Sequence, residues 1–239
     1  MHDNISINPE KYKAIMFFTG AGMSAESGVP TYRGSGGVWS EYNWEEYACQ
    51  RAFDKDPEKV IAFHELRRKK LLQCQPHAGH QIITRVQKKH PDVSIVTQNI
   101  DGMHQRAGST NVIELHGSIW RMRCHRHGIF EDMGEKYASY RCLQCGNRLR
   151  PDITWFEDML NAELLARMET LLQNVDLFIA IGTSGVVYPA AIYPQLAKQC
   201  GANTVCINTE VPGDNSVYDV YIKSRASDAL LMLFNDFIG

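Results

Sequence analysis

The chain has 239 residues, 44% of them hydrophobic and 22% charged, and its 25 basic and 27 acidic side chains leave a formal charge of −2. That is the make-up of an ordinary globular chain, long enough to bury a core without disulfide staples. Non-specific binding to nucleic acid or to a membrane surface needs a clustered cationic excess that this composition lacks, so neither partner is expected. The Met1–Pro9 stretch has neither the basic nor the apolar region of a signal peptide, and no apolar run approaches the roughly 20 residues of a membrane span. Seven cysteines, an odd count, suit a reducing compartment. The expectation is cytoplasmic residence.

Apolar runs of strand length alternate with helix-like segments along the chain. Ala14 to Thr19 reads as a strand running into Gly20-Ala21-Gly22. A glycine-rich loop follows from about Gly34, and then a helix for which Asp56 is the N-cap and Pro57 the first residue. Pro76 to Lys89 reads as an amphipathic helix. Val93 to Thr97 is a strand ending in Gln98-Asn99-Ile100-Asp101, and Asn111 to Leu115 is another, ending in His116-Gly117. Residues 120–152 show little regular periodicity. Beyond them come a helix over Glu157 to Gln173, a strand over Asp176 to Ile181 that meets Gly182-Thr183-Ser184, and a strand over Thr204 to Ile207 that meets Asn208. Such alternation predicts an α/β fold, a Rossmann-like parallel sheet whose carboxyl edges face one crevice. Its core spans 1–34, 76–119 and 153–239. A helical insertion, 35–75, and a zinc-ribbon insertion, 120–152, together form a smaller lobe.

Gly20, Gly22 and Ala25 fit the G-x-G-x-x-G/A turn, in which glycines permit a tight bend and a close backbone approach to pyrophosphate. Alone this is a weak signal, since glycine turns at strand ends are common. The acidic residue usual about 20 positions later is missing; Glu41 has the spacing in the wrong setting.

Cys124-x-x-His127 and Cys142-x-x-Cys145 are two chelating pairs, and a Cys₃His set is a recognised structural zinc site. His125 is a poorer ligand because it sits one residue from Cys124. A closed four-ligand site leaves no position for water, so the ion would brace the insertion and take no part in chemistry. The alternative is a vestigial cluster of buried cysteines.

At about 100° per residue, Val60, Phe63, His64, Arg67 and Leu71 share one face of the Pro57 helix, with Glu65 and Lys69 opposite. An arginine in an apolar stripe wants a carboxylate, either a protein Asp or Glu or one on a ligand.

Residues 20–33, Gly-Ala-Gly-Met-Ser-Ala-Glu-Ser-Gly-Val-Pro-Thr-Tyr-Arg, with Thr97-Gln98-Asn99-Ile100-Asp101, Leu115-His116-Gly117 and Gly182-Thr183-Ser184, closely resemble the sirtuin family. The N-terminal block is most similar to the bacterial and mitochondrial branch, which includes desuccinylases. The resemblance covers nearly the whole chain in the family's motif order. It implies an NAD-dependent protein-lysine deacylase acting on acyl-lysine proteins or peptides, with NAD as co-substrate and one structural zinc. The products would be nicotinamide, O-acyl-ADP-ribose and free lysine. His116 matches the general base and Asn99 its catalytic companion. Gly20, Ala21, Gly22, Ser24, Ala25, Thr31, Tyr32, Arg33, Gln98, Asn99, Ile100, Asp101, Gly182, Thr183 and Ser184 match cofactor-binding positions. Asn208 and Glu210 match the adenosine-ribose positions, and Ala226 lies where adenine is held. Sirtuins carry two Cys pairs, so His127 departs from the pattern. A Tyr-x-x-Arg pair grips succinyl or malonyl carboxylates in one branch; this chain keeps Arg67 but has His64 in place of the tyrosine. Val187 matches a position touching the acyl-lysine. Two rivals stand beside this reading: ADP-ribosyl transfer or NAD hydrolysis on the same fold, and a catalytically silent NAD-binding module.

Overall fold

The computed structural model describes residues 6–34, 36–211 and 215–239. Residues 1–5 of the expected core and Ser35, with which the expected helical insertion begins, lie outside the described residues. The described residues form nine strands: β1 (Ile15–Thr19), β2 (Val93–Thr97), β3 (Val112–Glu114), β4 (Gly117–Cys124), β5 (Gly128–Glu131), β6 (Arg150–Ile153), β7 (Leu177–Ile181), β8 (Asn203–Asn208) and β9 (Val220–Lys223).

Six of them make a sheet in the order β3-β2-β1-β7-β8-β9, parallel throughout. All five residues of β1 and all five of β7 are buried, as expected of central strands covered on both faces. Thr19 pairs with Thr97 on one side and Ile181 on the other, so the strands end level and their following turns open on one crevice. The order reverses between β1 and β7, the place where open α/β sheets bind ligands. There the Gly20–Gly22 turn and Gly182 pack backbone against backbone. A Cβ on Gly22 would stand 2.7 Å from the Cα of Gly182, and Gly182 itself has φ +60°.

The structure corrects several expected boundaries. The glycine turn opens only a single helical turn, Ala21–Ser24, continued by a 3₁₀ turn, Ala25–Ser27. The helix expected from Pro76 starts at Ala78, capped by His77, whose Nδ1 accepts the Gly79 amide. The helix expected from Glu157 starts at Ala162, because Asn161 caps the Glu163 and Leu164 amides and Glu157 takes φ +72°. Asp56 accepts the Lys59 amide with Pro57 at the helix start, as its sequence implies.

Residues 120–152, expected to be irregular, contribute to a second, antiparallel sheet of order β5-β4-β6. Its apolar face joins the Pro57–Leu72 helix in a second core built from Cys49, Phe53, Val60, Leu71, Ile119 and Trp120, among others. Arg68 is the polar centre of that junction. It is fully buried, donates to the carbonyls of Gly134 (2.7 Å), Ile119 (2.9 Å) and Asp132 (2.8 Å), and pairs with Asp132 Oδ1 at 2.6 Å. The Trp120 and Tyr137 rings flank it, with centroids 5.1 and 4.0 Å from its guanidinium carbon. Glu65, expected to face away, instead accepts from the Tyr137 amide and the Tyr140 hydroxyl.

Candidate active site and metal centre

The crevice at the carboxyl edge is a cleft of about 620 Å³, within the range of small-molecule sites. The β1 turn contributes Gly20, Ala21 and Gly22, and the following loop Thr31, Tyr32 and Arg33. Gln98, Asn99 and Ile100 enter after β2, and His116 after β3. Gly182, Thr183, Ser184 and Val187 come from the β7 edge, Asn208 and Glu210 from the β8 edge, and His64 and Arg67 from the Pro57–Leu72 helix.

Four expected residues are not among the residues lining this cleft. Ser24 is buried beneath it, and its Oγ accepts from Asn99 Nδ2 at 3.3 Å. Asp101 is buried in a small hollow that shares Tyr32, Asn99, Ile100 and Arg67 with the cleft; burial raises its carboxyl pKa. Ala25 is exposed on the 3₁₀ turn, and Ala226 is buried at the start of the last helix. Conversely, Trp39 and Thr154 line the cleft without having been singled out. Trp39 stacks on Phe63 with centroids 6.2 Å apart, and a tryptophan just after a glycine-rich loop is the signal that could have found it.

His116 Nδ1 lies 2.9 Å from the Gln98 carbonyl, which can only accept. The proton therefore sits on Nδ1 and Nε2 keeps its lone pair. Burial lowers the pKa of this imidazole, with the Gln98 bond acting in the opposite sense, so it remains a neutral base. Asn99 is held at three points. Its amide donates to Thr97 Oγ1 at 3.0 Å, and its Nδ2 donates to the Gly20 carbonyl at 2.9 Å as well as to Ser24. A buried polar layer continues below. Thr19 Oγ1 donates to Thr97 Oγ1 (2.8 Å) and bonds His104 Nε2 (3.0 Å), while the His80 and His104 rings lie 4.9 Å apart. Burial drives these imidazoles down to about 2 for His80 and about 3 for His104.

At the other end of the cleft, His64 is buried and its Nε2 accepts the Trp155 indole N–H at 3.1 Å. Burial, then the charges of Arg67 and Arg150, push its pKa to about 3. Arg67 lies half-buried with its guanidinium 4.6 Å from the Tyr32 ring centroid. Among the described residues it forms no salt bridge; Asp101, which lines the same small hollow, feels its charge without pairing with it.

Cys124, His127, Cys142 and Cys145 bring one ligand atom each to within 4.8 Å of one another. Cys124 Sγ is 3.7 Å from Cys145 Sγ and 3.8 Å from His127 Nδ1, and His127 Nδ1 is 3.3 Å from Cys142 Sγ. Ligands tetrahedrally placed about 2.0–2.3 Å from a zinc ion stand roughly 3.3–3.8 Å apart, so these three separations already match a zinc site and only pairs between that range and 4.8 Å would have to draw in. The Arg126 amide donating to Cys124 Sγ is the leading cause that draws that thiol down to about 6, toward the thiolate a metal needs. The exposed His125 is outside the cluster.

Residues 20–189 match the Sir2 family model. An NAD-dependent protein deacylase of Aquifex aeolicus is 40% identical over 229 residues, covering 92% of this chain and 94% of that one. A solved Sir2 homologue in complex with NAD superposes with a TM-score of 0.85 at 37% identity, covering 96% of this chain and 93% of the other. A Sir2 structure with a p53 peptide and NAD superposes at 0.81 with 26% identity, covering 95% and 94%. With the doubly wound sheet, the glycine turn at its switch point and a Cys₃His cluster, these likenesses settle the relationship: the chain belongs to the Sir2 family.

Proposed function

We propose that the chain is an NAD-dependent protein-lysine deacylase: the acyl group of a lysine on a protein or peptide passes to the ADP-ribose part of NAD, nicotinamide leaves, and a water molecule completes release of the free lysine. The observation that carries this reading is His116, a neutral base with its lone pair on Nε2, in the same cleft wall as Asn99 and the β1/β7 glycine turns. The donor set suits a dinucleotide. Amide and hydroxyl groups of Gln98, Asn99, Thr183, Ser184 and Asn208 offer bonds to ribose and phosphate oxygens beside the apolar Ala21 and Ile100. Bound there, NAD supplies the electrophilic ribose carbon that accepts the acyl oxygen as nicotinamide leaves. His116 Nε2 takes the proton of a ribose hydroxyl, and Asn99, fixed through three hydrogen bonds, orients that sugar. Cys124, His127, Cys142 and Cys145 hold one zinc ion that braces the insertion.

The acyl range we infer includes acidic groups. Arg67 has cation–π contacts but no ion pair among the described residues, which leaves its fork available to a succinyl or malonyl carboxylate. Residues 35–75 and 120–152 act as the smaller lobe of the peptide cleft, and the three metal-site thiols go with a reducing, cytoplasmic setting. The test is turnover of one peptide bearing acetyl-, succinyl- and malonyl-lysine in turn, with NAD, by wild type and Arg67→Ala. Removal of acidic groups that Arg67→Ala selectively loses supports the reading. A preference for acetyl with equal losses makes the pocket neutral. ADP-ribose added to protein, seen by mass, would shift the function to ADP-ribosyl transfer.

A further inference from the structure

We propose that Trp155 is a positioning residue for acyl-group selectivity: it locks His64 as a neutral imidazole protonated on Nδ1, a donor that only an acyl chain with a distal acceptor oxygen can satisfy. This rests on the deacylase reading above. The argument starts from the indole. A Trp Nε1–H has no acceptor capacity, so the 3.1 Å contact to His64 Nε2 requires an unprotonated Nε2. A neutral ring then carries its proton on Nδ1. The doubly protonated form is excluded by full burial beside the positive charges of Arg67 and Arg150. That Nδ1 is buried and has no hydrogen-bond partner among the described residues, while the ring lines the cleft. An unpaired buried donor is costly in the free protein, and the cost is relieved when a ligand brings an acceptor.

The lock is rigid. The His64 and Trp155 rings lie parallel to within 7° at 5.8 Å, the Arg150 guanidinium sits 3.8 Å from the indole centroid, and the Phe53 ring packs at 5.5 Å. One helical turn along, Arg67 also offers donors without a salt-bridge partner. His64 and Arg67 therefore bring two donor groups to the same cleft. A carboxylate answers both groups, whereas the methyl group of an acetyl chain answers neither. A hydroxyl in place of the imidazole could rotate and accept; the imidazole held by Trp155 cannot.

The experiment has two arms. ¹⁵N NMR of histidine-labelled wild type, without ligand, reads the His64 tautomer directly. We expect a protonated-type Nδ1 and an unprotonated-type Nε2, exchanged or averaged in Trp155→Phe. Calorimetry then gives Kd for succinyl- and acetyl-lysine forms of one peptide. Trp155→Phe is expected to lower the succinyl-to-acetyl affinity ratio about tenfold, the loss of one hydrogen bond to a charged acceptor, and His64→Phe to lower it similarly. A wild-type His64 protonated on Nε2 overturns the proposal, as does a Trp155→Phe variant that weakens both peptides equally. Neither arm uses turnover, so a protein that binds acyl peptides without deacylating them would fail the proposed function and leave this inference standing.

Discussion

Replacing Arg68 with methionine is expected to destabilise the protein by about 3–5 kcal/mol, the cost of breaking a buried ion pair from one side. The magnitude follows from what the guanidinium leaves behind. Methionine keeps the apolar stem but not the guanidinium that lies against the Trp120 and Tyr137 rings, so those ring contacts are lost as well. The Asp132 carboxylate, with a side chain only 9% exposed, remains without its cation. The carbonyls of Gly134, Ile119 and Asp132 lose a donor as well. Arg68→Lys keeps a charge but cannot span three carbonyls and a carboxylate, so it should lose about 1–3 kcal/mol. Urea unfolding followed by far-UV circular dichroism, on zinc-loaded protein at neutral pH, measures both. A methionine variant within about 1 kcal/mol of wild type would refute the reasoning, since that is the range of an ordinary surface change.

Three further outcomes are expected. His116→Ala should abolish deacylation while NAD still binds, and because burial lowers this imidazole, the acid limb of wild-type kcat/KM should fall below the ordinary pKa near 6.5; a limb above it contradicts the neutral-base assignment. His64, His80 and His104 stay neutral when folded to about 3, 2 and 3 but protonate near 6.5 when unfolded. The unfolded chain therefore binds more protons below pH 6.5, and stability should fall there by about 4 kcal/mol per pH unit, at about 1.4 for each ring. Urea titrations at neutral pH and one unit below 6.5 check this, and a flat profile sinks it. Stripping zinc with a strong chelator should release one equivalent by atomic absorption and lower the melting temperature, whereas Cys142→Ala should purify without metal; full metal in that variant would show that the four residues are not the ligand set.

The residues that announce themselves in the sequence are those whose surroundings are simple. β1 and β7 are covered on both faces, so they read as apolar runs, and the polar or glycine residues that follow them mark the crevice. β9 has only four residues at a sheet edge, too short and too exposed to show a pattern. β4 alternates as a one-sided strand should, but its last residue belongs to the Cys/His cluster, which hid the period. Arg68 was legible in principle, since Val60, His64 and Arg68 recur every four residues and Leu71 continues the row; the adjoining Arg67 drew attention instead. The histidine layer was not legible. His80 and His104 look like surface residues of short amphipathic stretches, and only the tertiary fold sets them over the threonines of β1 and β2.

Arg68 also limits how this architecture can be recombined. Its partners lie 51 to 66 positions away, so two segments that look like separable insertions share one keystone. Residues 120–152 of this chain, moved into a host with no arginine at the place of Arg68, would leave Asp132 and the carbonyls around it without their donor. A chimaera that imported the Pro57–Leu72 helix alone would bring a guanidinium with nowhere to bond. The exchangeable part is the pair, and any graft has to carry both segments across the intervening stretch of the main sheet.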